Sequence, residues 1–170
     1  MIGALLHLPE ITPGDARDLS GDARAGIEQL AFLVGGVWVA RTGSQTTEER
    51  CAWWLDESVI ATDVTSRKEG EVVATARGMF AWDSAGQDLL SIAASDQGFF
   101  VYSRQTGGSE APPTWVFQAH YRGAVEQERR ITMSHPAADR LVIAQALRRD
   151  DGSWKSLGEA TYERTPGAAG

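Results

Sequence analysis

The stretch Leu33-Val34-Gly35-Gly36-Val37-Trp38, residues 33–38, marks the point at which the hydrophobic pattern of the chain changes. Before it, apolar residues recur from Ile27 to Val34 at the spacing of an amphipathic helix, with Ser20 as a candidate N-cap. The two glycines are typical of a helix end, and the sequence that follows has no helical period. This pattern predicts one helix over 21–33 that leads directly into a β-rich remainder.

The remainder consists of short segments rich in β-branched and aromatic residues, separated by turn residues. Clusters of Gly and Asp predict tight hairpins, and a Gly- and Pro-rich stretch predicts a longer loop over 107–113. The predicted strands span 36–43, 46–55, 58–67, 71–82, 87–95, 99–106, 114–122, 125–134, 140–149 and 153–164. A meander of this length avoids exposed edges by closing on itself. The sequence therefore predicts an all-β fold, a roughly ten-stranded antiparallel up-and-down β-barrel preceded by one N-terminal helix.

The length of 170 residues is that of a single domain, and no repeat or linker divides the sequence. The first residues contain two prolines and no sustained period, whereas Thr165-Pro166 ends the last predicted strand. We therefore predict an extended N-terminal arm over 1–19, one barrel domain over 20–165 and a flexible tail over 166–170.

Composition argues against several classes of function. The net charge of -7, with each basic pair next to acidic residues, argues against nucleic-acid binding. The single cysteine, Cys51, excludes an internal disulfide, and the three histidines do not stand at metal-ligand spacing, so we predict no metal and no cofactor. The apolar start lacks a basic region, and no apolar run approaches the roughly 18 residues that span a bilayer. We expect a cytoplasmic protein without a membrane partner.

Two segments at opposite ends of the predicted barrel carry a family resemblance. Gly36-Val37-Trp38 resembles the Gly-x-Trp opening of the lipocalin-like (calycin) superfamily, and residues 160–164, Ala-Thr-Tyr-Glu-Arg, resemble its closing strand. The resemblance implies that Arg164 lies over Trp38 and clasps the barrel base. Within the superfamily the chain looks nearest to bacterial lipocalin-like families of unknown function and to nitrobindin-like barrels, which residues 78–86 also resemble.

The sequence departs from two ligand types of this superfamily. Fatty-acid-binding proteins have an arginine where Ala160 stands, and their two-helix lid between the first strands has no counterpart here. Nitrobindin-like proteins ligate haem through a histidine near the C-terminal strands, and the last predicted strand contains none. The resemblance thus implies a lumen for a small molecule other than a fatty acid or haem.

Strand alternation nominates the residues that face this lumen. The apolar positions of the four C-terminal strands place Tyr121, Arg129, Gln145 and Tyr162 on the same face as their apolar neighbours. Tyrosine and histidine can donate or accept protons, and a mainly apolar lining with few polar groups is typical of small-molecule pockets. The ligand-binding candidates are Trp115, Phe117, Arg129, Gln145 and Tyr162, and the catalytic candidates are His120, Tyr121 and Tyr162.

Each polar candidate has a purely structural alternative. The two tyrosines can be core rings whose hydroxyls reach the barrel mouth. Inside the lumen, Arg129 would be a costly unpaired charge without an anionic ligand, and its charged neighbours favour the outer face. The side chain of His120 points away from that of Tyr121, so it enters the lumen only if the register slips by one, and a surface position is favoured.

These features predict binding of a small apolar or aromatic metabolite in the lumen, for transport, storage or sensing. The alternative is a cofactor-independent enzyme, because lipocalin-like barrels include cyclases, isomerases and lyases of secondary metabolism. A third hypothesis is an interaction module. Because Trp53 and Trp54 must face opposite sides of one strand, one ring is exposed and could form the seam of a homodimer.

Overall fold

The computed structural model describes residues 23–123 and 126–165, and its strands form a closed antiparallel barrel. The strands are β1 (Val37–Thr42), β2 (Gln45–Trp54), β3 (Val59–Lys68), β4 (Glu71–Asp83), β5 (Asp88–Ser95), β6 (Phe100–Glu110), β7 (Pro113–Arg122), β8 (Gln127–Ala137), β9 (Arg140–Arg148) and β10 (Trp154–Thr165). Each strand pairs with its neighbours in sequence, and β1 pairs with β10, which closes the sheet. The predicted fold class is confirmed. The predicted arm over 1–19 and tail over 166–170 lie outside the described residues.

The N-terminal helix is shorter than predicted. Helix α1 spans residues 23–28, and a 3-10 turn at Ala31–Leu33 follows it where a continuous helix to residue 33 was expected. Ile27, Leu30 and Leu33 are spaced by three residues and are at most 2% exposed. Three residues complete a turn of 3-10 geometry, so the tighter winding keeps all three side chains against the barrel. No described helix has the length and apolar character that crossing a lipid bilayer requires.

The prediction of a loop over 107–113 is wrong. Strand β6 continues to Glu110 and pairs with β7 from Pro113 onward, which leaves a short turn between them. A bulge between Gln105 and Gly107 shifts the register at the start of this extension. The glycines that are typical of a loop therefore serve a bulged strand, a position that glycine also favours.

The two ends of the barrel chain meet in a clasp at Trp38, whose side chain is fully buried. Its Nε1 donates a hydrogen bond of 2.9 Å to the carbonyl oxygen of Leu33. The guanidinium of Arg164, opposite Trp38 in the β1–β10 register, lies 5.5 Å from the indole centroid. It also donates to the carbonyl oxygens of Val34 and Gly35. The contact that the resemblance implied between Arg164 and Trp38 is present.

His135 lies next to this clasp, in the part of β8 that extends beyond the predicted strand 125–134. Its ring stacks on Phe32 with 3.9 Å between centroids. Its Nε2 atom is buried and has no hydrogen-bond partner among the described residues. Burial lowers the pKa of His135, a hydrogen bond with the backbone of Ala138 opposes this, and the charge of Arg164 lowers it further. The neutral imidazole is therefore the favoured form in the folded protein.

We expect His135 to contribute a loss of the free energy of unfolding as the pH is lowered from 7 to 5. Because the folded-state pKa of His135 lies below the unfolded value of about 6.5, its contribution is complete above that pH and is lost as the pH falls toward the folded pKa. Urea unfolding at both pH values measures the loss. The variant His135→Phe keeps a ring on Phe32 but cannot titrate, so its loss should be smaller. Equal losses in both proteins would contradict this prediction.

Candidate functional site

The strand register determines which side chains line the lumen. Alternate residues of each strand face inward. Trp38 faces inward, and residues that are paired across neighbouring strands share a face, so the pairing identifies the inward residues of each further strand. Tyr121, Arg129, Gln145 and Tyr162 all lie on this inner face. The inner face of the four C-terminal strands is therefore the one that alternation predicts.

The two ends of the barrel differ. One end, the base, carries α1 and the turns after β2, β4, β6 and β8, whereas the other end, the mouth, carries the remaining hairpins. At the base, Trp115 Nε1 donates a 2.7 Å hydrogen bond to Gln29 Oε1, and Arg24 pairs with Glu57 in the β2–β3 turn. The packed cluster at this end consists of Ile27, Leu30, Leu33, Trp38, Cys51, Ile60, Leu89, Trp115, Phe117, Met133 and Leu141. A ligand would therefore enter the lumen from the mouth.

Arg129 is the centre of a polar cluster on the inner face of β7, β8 and β9. Its Nε and Nη2 donate to Gln127 Oε1 at 3.2 and 2.7 Å, and its Nη1 donates to Gln145 Oε1 at 3.1 Å. Its guanidinium carbon lies 4.2 Å from the centroid of the Tyr121 ring. No carboxylate of the described residues lies within ion-pair distance of Arg129. The favoured outer-face position is thus wrong, and the inward charge is uncompensated.

A cavity of about 340 Å³ opens beside this polar cluster. Arg129, Ile143 and Gln145 line one side, and residues 157–160 of β10 line the other. A bulge precedes Gly158, which has a φ of 106° and no atom within 4 Å of the position that a Cβ would occupy. The missing side chain leaves this wall open, so a small molecule can reach the guanidinium.

Two of the predicted ligand-binding residues, Trp115 and Phe117, lie in the packed base. Trp115 is 6% exposed and stacks on Phe32 at 5.2 Å, and Phe117 is 3% exposed and lies 6.1 Å from Phe80. Their rings contact the core and do not line the cavity beside Arg129. Of the predicted site residues, the structure brings together Tyr121, Arg129 and Gln145.

Tyr162 faces the lumen from β10, opposite Leu141 of β9 and Ala40 of β1. Burial, followed by the charge of Glu49, raises the pKa of Tyr162 to about 12. Burial also raises the pKa of Tyr121, although the charge of Arg129 opposes this effect. Both phenols are therefore protonated at neutral pH and can donate hydrogen bonds, but neither is a strong base there.

His120 lies on the outer face of β7 and is exposed. Its partners in the register are Tyr102 on β6 and Glu128 on β8. This is the surface position that the sequence favoured. The register slip that would bring His120 into the lumen does not occur, so the structure separates it from the other catalytic candidates.

The sequence reasoning missed two inward residues, Gln127 and Glu49. Glu49 lies on the inner face of β2, two residues before Cys51, and is opposite Trp38. Burial raises the pKa of Glu49, and a weak hydrogen bond from Cys51 Sγ at 3.8 Å opposes this. Because residues two apart in a strand share a face, the position of Cys51 would have placed Glu49 on the inner face. The charged residues next to Glu49 instead made this stretch typical of a solvent-exposed surface.

The predicted division of the tryptophan pair is present on β2. Trp53 packs against the core cluster, whereas Trp54 is 51% exposed. A homodimer that uses Trp54 stays a prediction, and light scattering of the wild-type protein and of Trp54→Ser would test it.

Comparison with known proteins identifies the fold and no family. No family model matches the chain, and no curated protein matches it either. Among solved structures, the chain is similar to the crystal structure of Rv2717c from M. tuberculosis, with a TM-score of 0.60 and 12% sequence identity. The match covers 82% of this chain and 97% of that chain. A likeness at this level of identity shows a shared barrel fold alone.

Proposed function

We propose that the barrel binds a small apolar or aromatic molecule and that Arg129 holds an anionic group of this ligand. The observation that carries the proposal is the guanidinium itself, which faces the lumen next to a cavity of about 340 Å³ and has no carboxylate partner among the described residues. Taking an unpaired ion out of water costs several kcal/mol, and an anionic ligand would offset part of that cost. Guanidinium groups also form paired hydrogen bonds with carboxylates.

The apolar part of the ligand would lie against the aliphatic wall of the same cavity. Ile143 and Ala160 line that wall. The centroid of the Tyr121 ring lies 4.2 Å from the guanidinium carbon of Arg129, and the phenol of Tyr121 can donate a hydrogen bond to the ligand. A mainly apolar lining with a few polar groups is the usual composition of a small-molecule pocket.

We also propose that the chain is a lipocalin-like barrel. The contact between Arg164 and Trp38 supports this assignment, as does the closure of ten antiparallel strands behind a short N-terminal helix. The fold shared with Rv2717c is compatible with it.

The Arg129→Gln variant tests the proposed function. We expect the wild-type protein to bind 2-naphthoate about ten to a hundred times more tightly than 2-naphthamide, because hydrogen bonds to charged groups contribute about 1.5–3 kcal/mol. Arg129→Gln should lose this preference and keep its affinity for the amide. Isothermal titration calorimetry measures both affinities.

The matched control is Arg130→Gln. Arg130 is exposed on the outer face of the same strand, where its guanidinium carbon lies 5.0 Å from the Trp154 ring centroid. This variant removes the same charge but should keep the preference for the naphthoate. An identical loss in both variants would show a general charge effect and would rule out Arg129 as the anchor.

A cofactor-independent enzyme is a second candidate function, favoured by the protonated groups that face the lumen. Tyr121 and Tyr162 could donate hydrogen bonds to a developing oxyanion while the barrel holds one conformer of the substrate. This alternative corresponds to a cyclase, isomerase or lyase of secondary metabolism. Nuclear magnetic resonance of bound ligands in D2O would reveal exchange or conversion, and an unchanged ligand would leave the binding function alone.

A further inference from the structure

Arg129 is held differently from the arginines on the outer face of the barrel. On that outer face, three arginines form ion pairs with aspartate or glutamate side chains at 2.7 to 2.9 Å: Arg77, Arg104 and Arg148. Arg129 instead contacts the side chains of two glutamines, Gln127 and Gln145. The inner face therefore holds its arginine with hydrogen-bond acceptors that carry no charge.

The two amides use part of the hydrogen-bonding capacity of the guanidinium. A guanidinium has five N–H donors and no acceptor, so an amide can meet it only through its oxygen. Gln127 Oε1 accepts from Nε and Nη2 of Arg129, and Gln145 Oε1 accepts from Nη1. These contacts leave one N–H on each terminal nitrogen, and the cavity beside Arg129 and Gln145 gives a ligand access to the group. Two N–H donors match the two oxygens of a carboxylate.

Gln127 stands between two glutamates in the sequence, Glu126 and Glu128. Glu128 faces outward, where its carboxylate pairs with Arg148 at 2.9 Å, and Glu126 is exposed. The position that contacts Arg129 is thus an amide with a carboxylate on either side of it in the chain. A glutamate at position 127 would have nearly the same shape, but it would place a negative charge within hydrogen-bond distance of the guanidinium and neutralise it.

We propose that Gln127, together with Gln145, makes the site specific for anions, because the two amides fix the guanidinium of Arg129 without neutralising it. The counter-ion must then come from the ligand. The inference rests on the proposed function and adds the residues that set its charge preference. All three side chains are half-buried, where charges are screened less than on the surface. Gln127 is a positioning residue, since it acts on the ligand through Arg129.

The variant Gln127→Glu tests this inference with almost no change in shape. We expect the preference for 2-naphthoate over 2-naphthamide to fall from about ten- to hundredfold in the wild type to about one, because the introduced carboxylate replaces the anion of the ligand. The affinity for the amide should stay close to that of the wild type. Gln127→Leu removes the hydrogen bonds but adds no charge, so it should still bind the naphthoate more tightly. Isothermal titration calorimetry measures all of these affinities.

Urea unfolding of the ligand-free protein is the second measurement. The introduced carboxylate supplies the ion pair that Arg129 lacks, so the urea midpoint of Gln127→Glu should be no lower than that of the wild type. Weaker naphthoate binding by a protein of undiminished stability is not what a merely structural role of Gln127 would produce. The matched control is Gln118→Glu, which adds the same charge on the outer face of β7, in register with Arg130. This control should keep the preference for the naphthoate.

The outcomes separate this inference from the function on which it rests. If the preference for the naphthoate is lost in Arg129→Gln but survives in Gln127→Glu, the amides do not set the specificity and the proposed function stands. An equal loss in Gln127→Leu or in Gln118→Glu, or a lower urea midpoint of Gln127→Glu, also overturns the inference. If the wild-type protein shows no preference for the naphthoate, the proposed function fails and this inference fails with it.

Discussion

Trp38→Ala is expected to lower the free energy of unfolding by about 3–5 kcal/mol, the usual cost of truncating a fully buried large aromatic residue. The indole is 0% exposed, and its N–H group satisfies the carbonyl oxygen of Leu33. Truncation would leave a cavity at the base, an unpaired carbonyl group, and Arg164 without the ring on which it lies. Urea unfolding followed by far-ultraviolet circular dichroism measures the loss.

Trp54→Ala is the matched control for this experiment. It removes the same side chain from a position that is 51% exposed, and such a surface change costs about 0.5 kcal/mol or less. If the two variants lost similar stability, the clasp at Trp38 would not be the centre of the base.

Gly26→Ala should destabilise the protein although alanine is the better helix former by about 1 kcal/mol. A Cβ at position 26 of α1 would overlap the ring of Trp82 at the end of β4. Neither a docked helix nor a packed indole ring can yield without loss of contacts, and overpacking of this kind costs about 1–3 kcal/mol. We expect a lower urea midpoint with an unchanged slope.

Gly107→Ala provides the comparison for the second substitution. No atom lies within 4 Å of the position that a Cβ would take at Gly107, so the change should be close to neutral. A stabilising effect of Gly26→Ala would show that helix propensity outweighs the contact and that α1 does not seal the base as tightly as the structure indicates.

The strands were predictable because alternation and turn chemistry are local properties of a sequence. Closure was predictable as well, since ten hairpin-linked strands have no better way to cover their edges. The helix and the β6–β7 connection were not, because their form depends on contacts across the fold. The 3-10 turn arises where Ile27, Leu30 and Leu33 must all meet the barrel, and β6 extends because a bulge accommodates glycines that local rules assign to a loop.

The residues of the candidate site also divide into those that the sequence predicted and those that it did not. Parity placed Tyr121 and Gln145 on the inner face because a period of two requires no knowledge of distant strands. The same alternation placed Arg129 on the inner face, but the charged residues next to it favoured the outer face, which is wrong. Glu49 was missed for the same reason, since each stands among charged neighbours that face outward. Whether a charged residue on a barrel strand is functional depends on the groups that face it across the lumen. The alternation of residues along one strand contains no information about those groups.

The β1–β10 seam has a consequence for the kinetics of folding. The other strand pairs of the barrel join neighbours in sequence, whereas Trp38 and Arg164 are separated by nearly the whole described chain. Closing so long a loop carries the largest entropic cost in this topology, and contacts of this separation slow folding. The hairpins can therefore form first, and the pairing of β1 with β10 forms last. Until it does, two exposed strand edges remain, and in that interval the chain is most prone to associate with other copies of itself.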